Sequence, residues 1–242
     1  MGHYAFGHAM SFDVAEFFVW FLVFVFSVTC HEAGHAWAAW KGGDMTAYEG
    51  GQVSLDPFPH IRREPFGMLV VPVVSFLLWG WMLGWASTPY SPDWARRNPK
   101  LHALMSLAGP AANFLLALIA FGALKGMMSA GILQPPTPST FAITNLAQVS
   151  GGNVGNTLGA VAMALSVMLI LNVLLGLFNL IPLPPLDGAG LAEGIAPGTA
   201  GRFYGMLREQ PMFSLIGLLI AWQAFGYVWP PAVRIVLALL YA

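Results

Sequence analysis

Charge is what this chain has least of. Only 9% of its 242 residues are Asp, Glu, Lys or Arg, while 57% are hydrophobic; soluble domains carry about 25% charged residues. That shortage excludes an ordinary water-soluble fold and leaves an integral membrane protein. The ten basic residues fall in scattered pairs and the net charge is −1, which argues against nucleic acid as a partner. Cysteine occurs once, at Cys30, so an internal disulfide is excluded. On a helix Cys30 would point about 100° away from the adjacent His31, as a small core residue does. No Lys or Arg precedes the first apolar run, although a cleavable signal peptide has a basic start. The first run is therefore expected to remain attached.

What is present is a series of apolar stretches near membrane-spanning length, at 14–40, 66–86, 101–124, 158–180 and 212–228, with a shorter one at 232–242. One helical bundle accounts for that length. The expected fold is an all-α, polytopic membrane bundle with a short membrane-associated β-hairpin or re-entrant segment, forming a single integral membrane domain over 1–242.

Within the first run lies His31-Glu32-Ala33-Gly34-His35. Residues four apart share a helix face, so both imidazoles converge on one cation. Glu32, about 100° further round, reaches water acidified by the metal without being a ligand, as in zinc hydrolases. Ionisable groups in hydrocarbon are functional candidates by default. A catalytic zinc takes three protein ligands and an open position, so a third is required. Asp187 is the best candidate: it follows the proline-rich end of the 158–180 run within apolar surroundings. Glu193 is its competitor.

Other stretches carry weaker signals. Gly50 to Pro57 alternates apolar and polar residues and reads as a short strand; its edge, including Gln52, Val53 and Ser54, could pair with an extended substrate. Asn113, inside the 101–124 run, is placed to bond across a helix interface or to substrate. His60 and His102 read as interface residues, and His3 and His8 belong to a short polar lead.

For Asp187 to join the HEAGH histidines, the first helix and the 158–180 helix must end on the same membrane face. An odd number of full crossings must then separate them. Residues 66–86, broken by Pro72, Gly80 and Gly84, are the expected re-entrant segment. With that assignment Lys41, Arg62, Arg63, Arg96, Arg97, Lys100, Arg202 and Arg208 share one side against Lys125 and Arg234. By the positive-inside rule that side is the cytoplasm, with the N-terminus external and the active site toward the cytoplasmic side of the cell membrane.

Taken together, HEAGH, Gly109-Pro110-Ala111-Ala112-Asn113, and Asn179-x-x-Pro182 followed by Asp187-Gly188 resemble the site-2 protease family of intramembrane zinc metalloproteases, in its compact prokaryotic form without a PDZ domain. The resemblance runs from about residue 14 to the C-terminus. It implies one Zn2+ per chain on His31, His35 and Asp187, Glu32 as general base and proton shuttle, and Asn179 as a catalytic residue holding the substrate carbonyl or its oxyanion. It also implies cleavage of membrane-protein substrates within or beside a transmembrane helix, in contact with the lipid bilayer. Two departures concern substrate choice. Ala189-Gly190-Leu191 follows Asp-Gly where relatives tend to place a small residue and then arginine, and Gln52 and Asp56 stand where relatives often have Arg and Asn. The other readings of the same ligands are a membrane metal transporter or sensor and a catalytically silent adaptor.

Overall fold

The computed structural model describes residues 13–151, 157–209 and 211–242; His3 and His8 lie outside them. Four of the described helices are long and apolar enough to cross a membrane: α1 (Val14–Lys41), α6 (Pro99–Ser129), α7 (Thr157–Asn179) and α10 (Pro211–Tyr241). The chain is thus an all-α multi-pass membrane protein. Asp13 starts α1 by accepting from the backbone N–H groups of Ala15 and Glu16, and Lys41 with Gly42 ends it, the charge placement a helix dipole favours.

Helices α1, α6 and α7 pack against one another and bury the core. Their outer faces carry Leu22, Leu115, Leu118 and Ile119 exposed, the surface that acyl chains would cover. Among the described side chains of α10, only Ala221, Phe225 and Leu240 are buried, so this helix lies at the periphery. Shorter helices connect the spans: α2 (Thr46–Glu49), α3 (Pro57–Arg63), α4 (Val71–Trp79), α5 (Pro92–Arg97), α8 (Asp187–Ile195) and α9 (Thr199–Glu209).

The 66–86 stretch does form a hairpin. A π-helical turn, Phe66–Val70, leads into α4; these 14 residues, 66–79, rise only roughly 21 Å at 1.5 Å each, short of a bilayer core of about 30 Å. Gly80 then adopts φ 74°, the left-handed conformation that glycine enters without a Cβ penalty, and the chain turns back. Trp85 N–H donates to the Gly67 carbonyl at 3.2 Å. A Cβ on Gly67 would sit 2.2 Å from the Trp85 carbonyl oxygen, so the two legs meet backbone to backbone.

The expected strand at Gly50 to Pro57 is not formed. Gly51 takes φ 74° and breaks the extended run, and Asp56 caps α3 by accepting from Phe58 N–H at 3.0 Å. Alternation over so few residues was outweighed by the glycine pair and the cap. The antiparallel pair among the described residues lies elsewhere, β1 (Leu133–Gln134) against β2 (Gln148–Val149), in the connection between α6 and α7.

Candidate metal centre and active site

The HEAGH motif occupies the last third of α1, and His31, Glu32 and His35 are all buried there. What makes room for two imidazoles is a glycine on the neighbouring helix. A Cβ on Gly109 would lie 2.3 Å from His35 Nε2 and 2.6 Å from His31 Nε2, so no larger residue fits. Asp187, the first residue of α8, enters from the other side. Its carboxylate oxygens lie 3.1 Å from His31 Nε2 and 3.3 Å from His35 Nε2, and the two Nε2 atoms lie 3.0 Å apart. The three groups converge within 4.8 Å.

The other nitrogen of each ring shows what this space suits. His35 Nδ1 is 2.7 Å from the Met105 carbonyl, and His31 Nδ1 is 2.6 Å from Asn113 Oδ1. Both partners accept, so both Nδ1 atoms donate and, in the neutral rings, both Nε2 atoms present lone pairs. Asp187 Oδ2 is buried without a hydrogen bond, although it stands within ion-pair distance of His31, because no ring proton points at it. Three electron-rich groups therefore face one another with no proton between them. That is the donor set of a zinc site, two imidazoles and a carboxylate, with each histidine held by a second hydrogen bond. The Glu193 carboxylate is not in this cluster; it lines a separate cavity with Arg96, His102 and Arg202.

Glu32 stands beside the cluster. Its carboxylate accepts from the Thr88 hydroxyl at 2.8 Å, and the same hydroxyl lies 3.0 Å from the Glu32 carbonyl. Thr88 belongs to the return from the hairpin, which Asp44 ties to the end of α1 by accepting from Ser91 N–H at 2.7 Å. Glu32, His35, Ser87, Thr88 and Asp187 line a cavity of about 250 Å³, large enough for several waters.

Other residues singled out from the sequence fall differently. Asn113 is fully buried, its amide used by His31 and by Asn172, so it faces no substrate. Gln52 is buried and donates to the Ser87 carbonyl at 3.4 Å, while Val53 and Ser54 lie in the turn before α3. Asn179 ends α7 and donates to the Leu175 carbonyl of its own helix at 3.0 Å; it does not line the cavity. His60 is buried, its Nε2 3.1 Å from the Ser54 carbonyl, and His102 is buried against Tyr90. Thr88, Asn172 and Ser27 were not anticipated. A polar residue at 172 inside an apolar span was a visible signal, whereas nothing local marked Thr88.

A buried His-His-Asp cluster with a carboxylate beside it, enclosed by membrane-spanning helices, defines a membrane zinc metallopeptidase. A sequence profile for peptidase family M50, the site-2 protease family, matches residues 1–222. The chain belongs to that family, and zinc is the metal its members use. It is 33% identical over 177 residues to YwhC of Bacillus subtilis, named as a candidate zinc metalloprotease, covering 73% of this chain and 68% of YwhC. It is also 29% identical over 167 residues to Rip2 of Mycolicibacterium smegmatis, named likewise, covering 69% of this chain and 53% of that protein. Against Rip2 of Mycobacterium tuberculosis H37Rv the identity is 29% over 201 residues, 82% of this chain and 64% of the relative. The chain thus spans about half to two-thirds of the length of these relatives. No solved structure matches it.

Proposed function

We propose that the chain is an intramembrane endopeptidase that hydrolyses peptide bonds in or near transmembrane segments of membrane-protein substrates, as in regulated intramembrane proteolysis. The carrying observation is the His31, His35 and Asp187 cluster beside a cavity that His35, Asp187 and Glu32 line together. His31, His35 and Asp187 would hold one Zn2+, which supplies Lewis-acid chemistry by acidifying water and polarising a peptide carbonyl. Glu32 is the general base: it takes a proton from water in the cavity and delivers it to the leaving amine. Thr88 orients that carboxylate through the hydroxyl contact at 2.8 Å.

A helical amide is shielded by its own hydrogen bonds, so the substrate must unwind before cleavage. The turn at 50–56 gives way, as the surface for that extended strand, to residues 86–90, which line the cavity beside Glu32 and belong to no helix or sheet. Substrate pairing along them would lay a carbonyl into the cavity. For Asn179 to hold the oxyanion its amide would have to leave the Leu175 carbonyl. The skew of basic residues toward the ends of α1 and α7 supports an external N-terminus and a site toward the cytoplasm.

The test is cleavage of a model membrane substrate by the purified protein in the presence and absence of a chelator, with Glu32→Gln alongside. The proposal expects chelation and the substitution each to abolish cleavage, with zinc still bound by the variant. Cleavage by a zinc-loaded Glu32→Gln protein would remove the mechanism.

A further inference from the structure

Behind His31 lies a chain of amides that the chemistry above leaves unused. Asn172 Nδ2 donates to the Met168 carbonyl at 2.9 Å and to Ser27 Oγ at 2.8 Å. Asn113 Nδ2 donates to Asn172 Oδ1 at 2.8 Å and, at the longer distance of 3.5 Å, to the Ser27 carbonyl, and Asn113 Oδ1 faces His31 Nδ1 at 2.6 Å. Ser27, Asn113 and Asn172 are each 0% exposed, so water is not there to substitute for a lost partner.

An asparagine amide has two ends of nearly equal size and opposite hydrogen-bonding sense, and only its surroundings decide which end points where. Here the decision starts at a group with a single sense. The Met168 carbonyl only accepts, so it takes the Nδ2 end of Asn172 and leaves Oδ1 toward α6. That oxygen in turn takes the Nδ2 end of Asn113, which leaves Asn113 Oδ1 toward His31 and requires the ring proton on Nδ1. Were Asn113 reversed, its Nδ2 would face His31 Nδ1, and a neutral ring would carry its proton on Nε2, inside the cluster with His35 and Asp187.

We propose that Asn172 is a positioning residue of the metal site: through Asn113 it fixes the imidazole tautomer of His31 so that Nε2 stays open for the metal. This rests on the zinc-site reading above. Three helices contribute, α7 setting the sense, α6 passing it on and α1 carrying the ligand.

An aspartate at 113 separates this role from mere packing. A carboxylate accepts at both ends, so it has no wrong orientation toward His31 and no need of Asn172. The measurement is the Zn2+ dissociation constant, by competition with a chelating dye, of wild type, Asn172→Leu, Asn113→Asp and the double variant. Asn172→Leu is expected to weaken zinc binding by about 10- to 100-fold, the range for partners of metal-bound histidine. Asn113→Asp with Asn172→Leu is expected to stay within about threefold of Asn113→Asp alone, since coupled sites depart from additivity in this way. The proposal is overturned if Asn172→Leu binds zinc as wild type does, or if it weakens binding by the same factor in both backgrounds.

Should Asn172→Leu fail to fold, the tautomer is read in the intact protein. In zinc-loaded wild type labelled with 15N-histidine, a slowly exchanging proton on His31 Nδ1 is expected; coordination through Nδ1 would overturn the proposal. A wild-type chain that takes up no zinc at all would instead defeat the zinc-site reading itself.

Discussion

Helix α6 is buried along both halves, yet the halves are built from different materials. Its first half buries the polar His102, Ser106 and Asn113 among Ala103, Met105, Gly109 and Pro110, while its second buries only Ala117, Ala120 and Leu124. The second half packs with Leu169, Ile170 and Leu240 in an apolar cluster that needs only shape and volume. The first half faces α1 and α8, and each polar group there costs free energy unless it is partnered. Asn113, the most deeply buried of them, is accordingly linked in a sequence that runs from Met168 and Asn172 of α7 through Asn113 to His31 of α1. One helix thus joins a region specified by packing to a region specified by hydrogen-bond direction. Substitutions in the first should cost stability, and those in the second should cost metal binding or turnover.

Glu32→Gln should have the largest effect. It keeps the volume and the Thr88 contact but removes the base, and a loss of about 10³-fold or more in kcat is expected for a lost general base, with zinc content unchanged in metal analysis. Gly109→Ala comes next. Its methyl group would press on both Nε2 atoms, at 2.3 and 2.6 Å, and zinc affinity measured with a chelating dye should fall by about 100-fold, the upper end for disturbed ligand orientation. Thr88→Val removes a hydrogen bond to a carboxylate, worth about 1.5–3 kcal/mol, and should lower kcat by about tenfold while leaving zinc affinity intact. In the apolar half, Leu124→Ala should cost about 2–5 kcal/mol of stability by opening a cavity, read as thermal unfolding in detergent, with zinc affinity and kcat essentially those of wild type. A Leu124→Ala protein that folds normally but loses zinc would erase the distinction between the halves.

The metal cluster was legible because its parts announce themselves locally. HEAGH sets two imidazoles and a carboxylate close together by helical spacing alone, and Asp187 stands out as a carboxylate beyond a proline-ended apolar helix. The hairpin at 66–86 was legible from Pro72, Gly80 and Gly84 together with the need for both ends of the site to share a membrane face. What could not be read depends on contacts between distant segments. Thr88 reaches Glu32 across 56 residues, and Asn113 and Asn172 lie 59 residues apart; no local pattern states either pairing. Asn113 stood out as polar and able to bond across a helix interface, which it does toward His31 and Asn172; the identity of those partners is what local pattern does not state. The strand expected at 50–57 fails for a local reason: Gly50-Gly51 and the cap at Asp56 outweigh so short an alternating pattern.

The central claim is that one zinc is shared by residues separated by most of the chain. Metal analysis of purified Asp187→Ala tests it most directly, since this carboxylate lies 156 residues from His31 in sequence yet 3.1 Å from its Nε2. Wild type should carry one zinc per chain, and the variant, correctly folded and dialysed against the same buffer, should carry almost none. A variant that retains a full equivalent of zinc, and still cleaves a membrane substrate, would contradict the account.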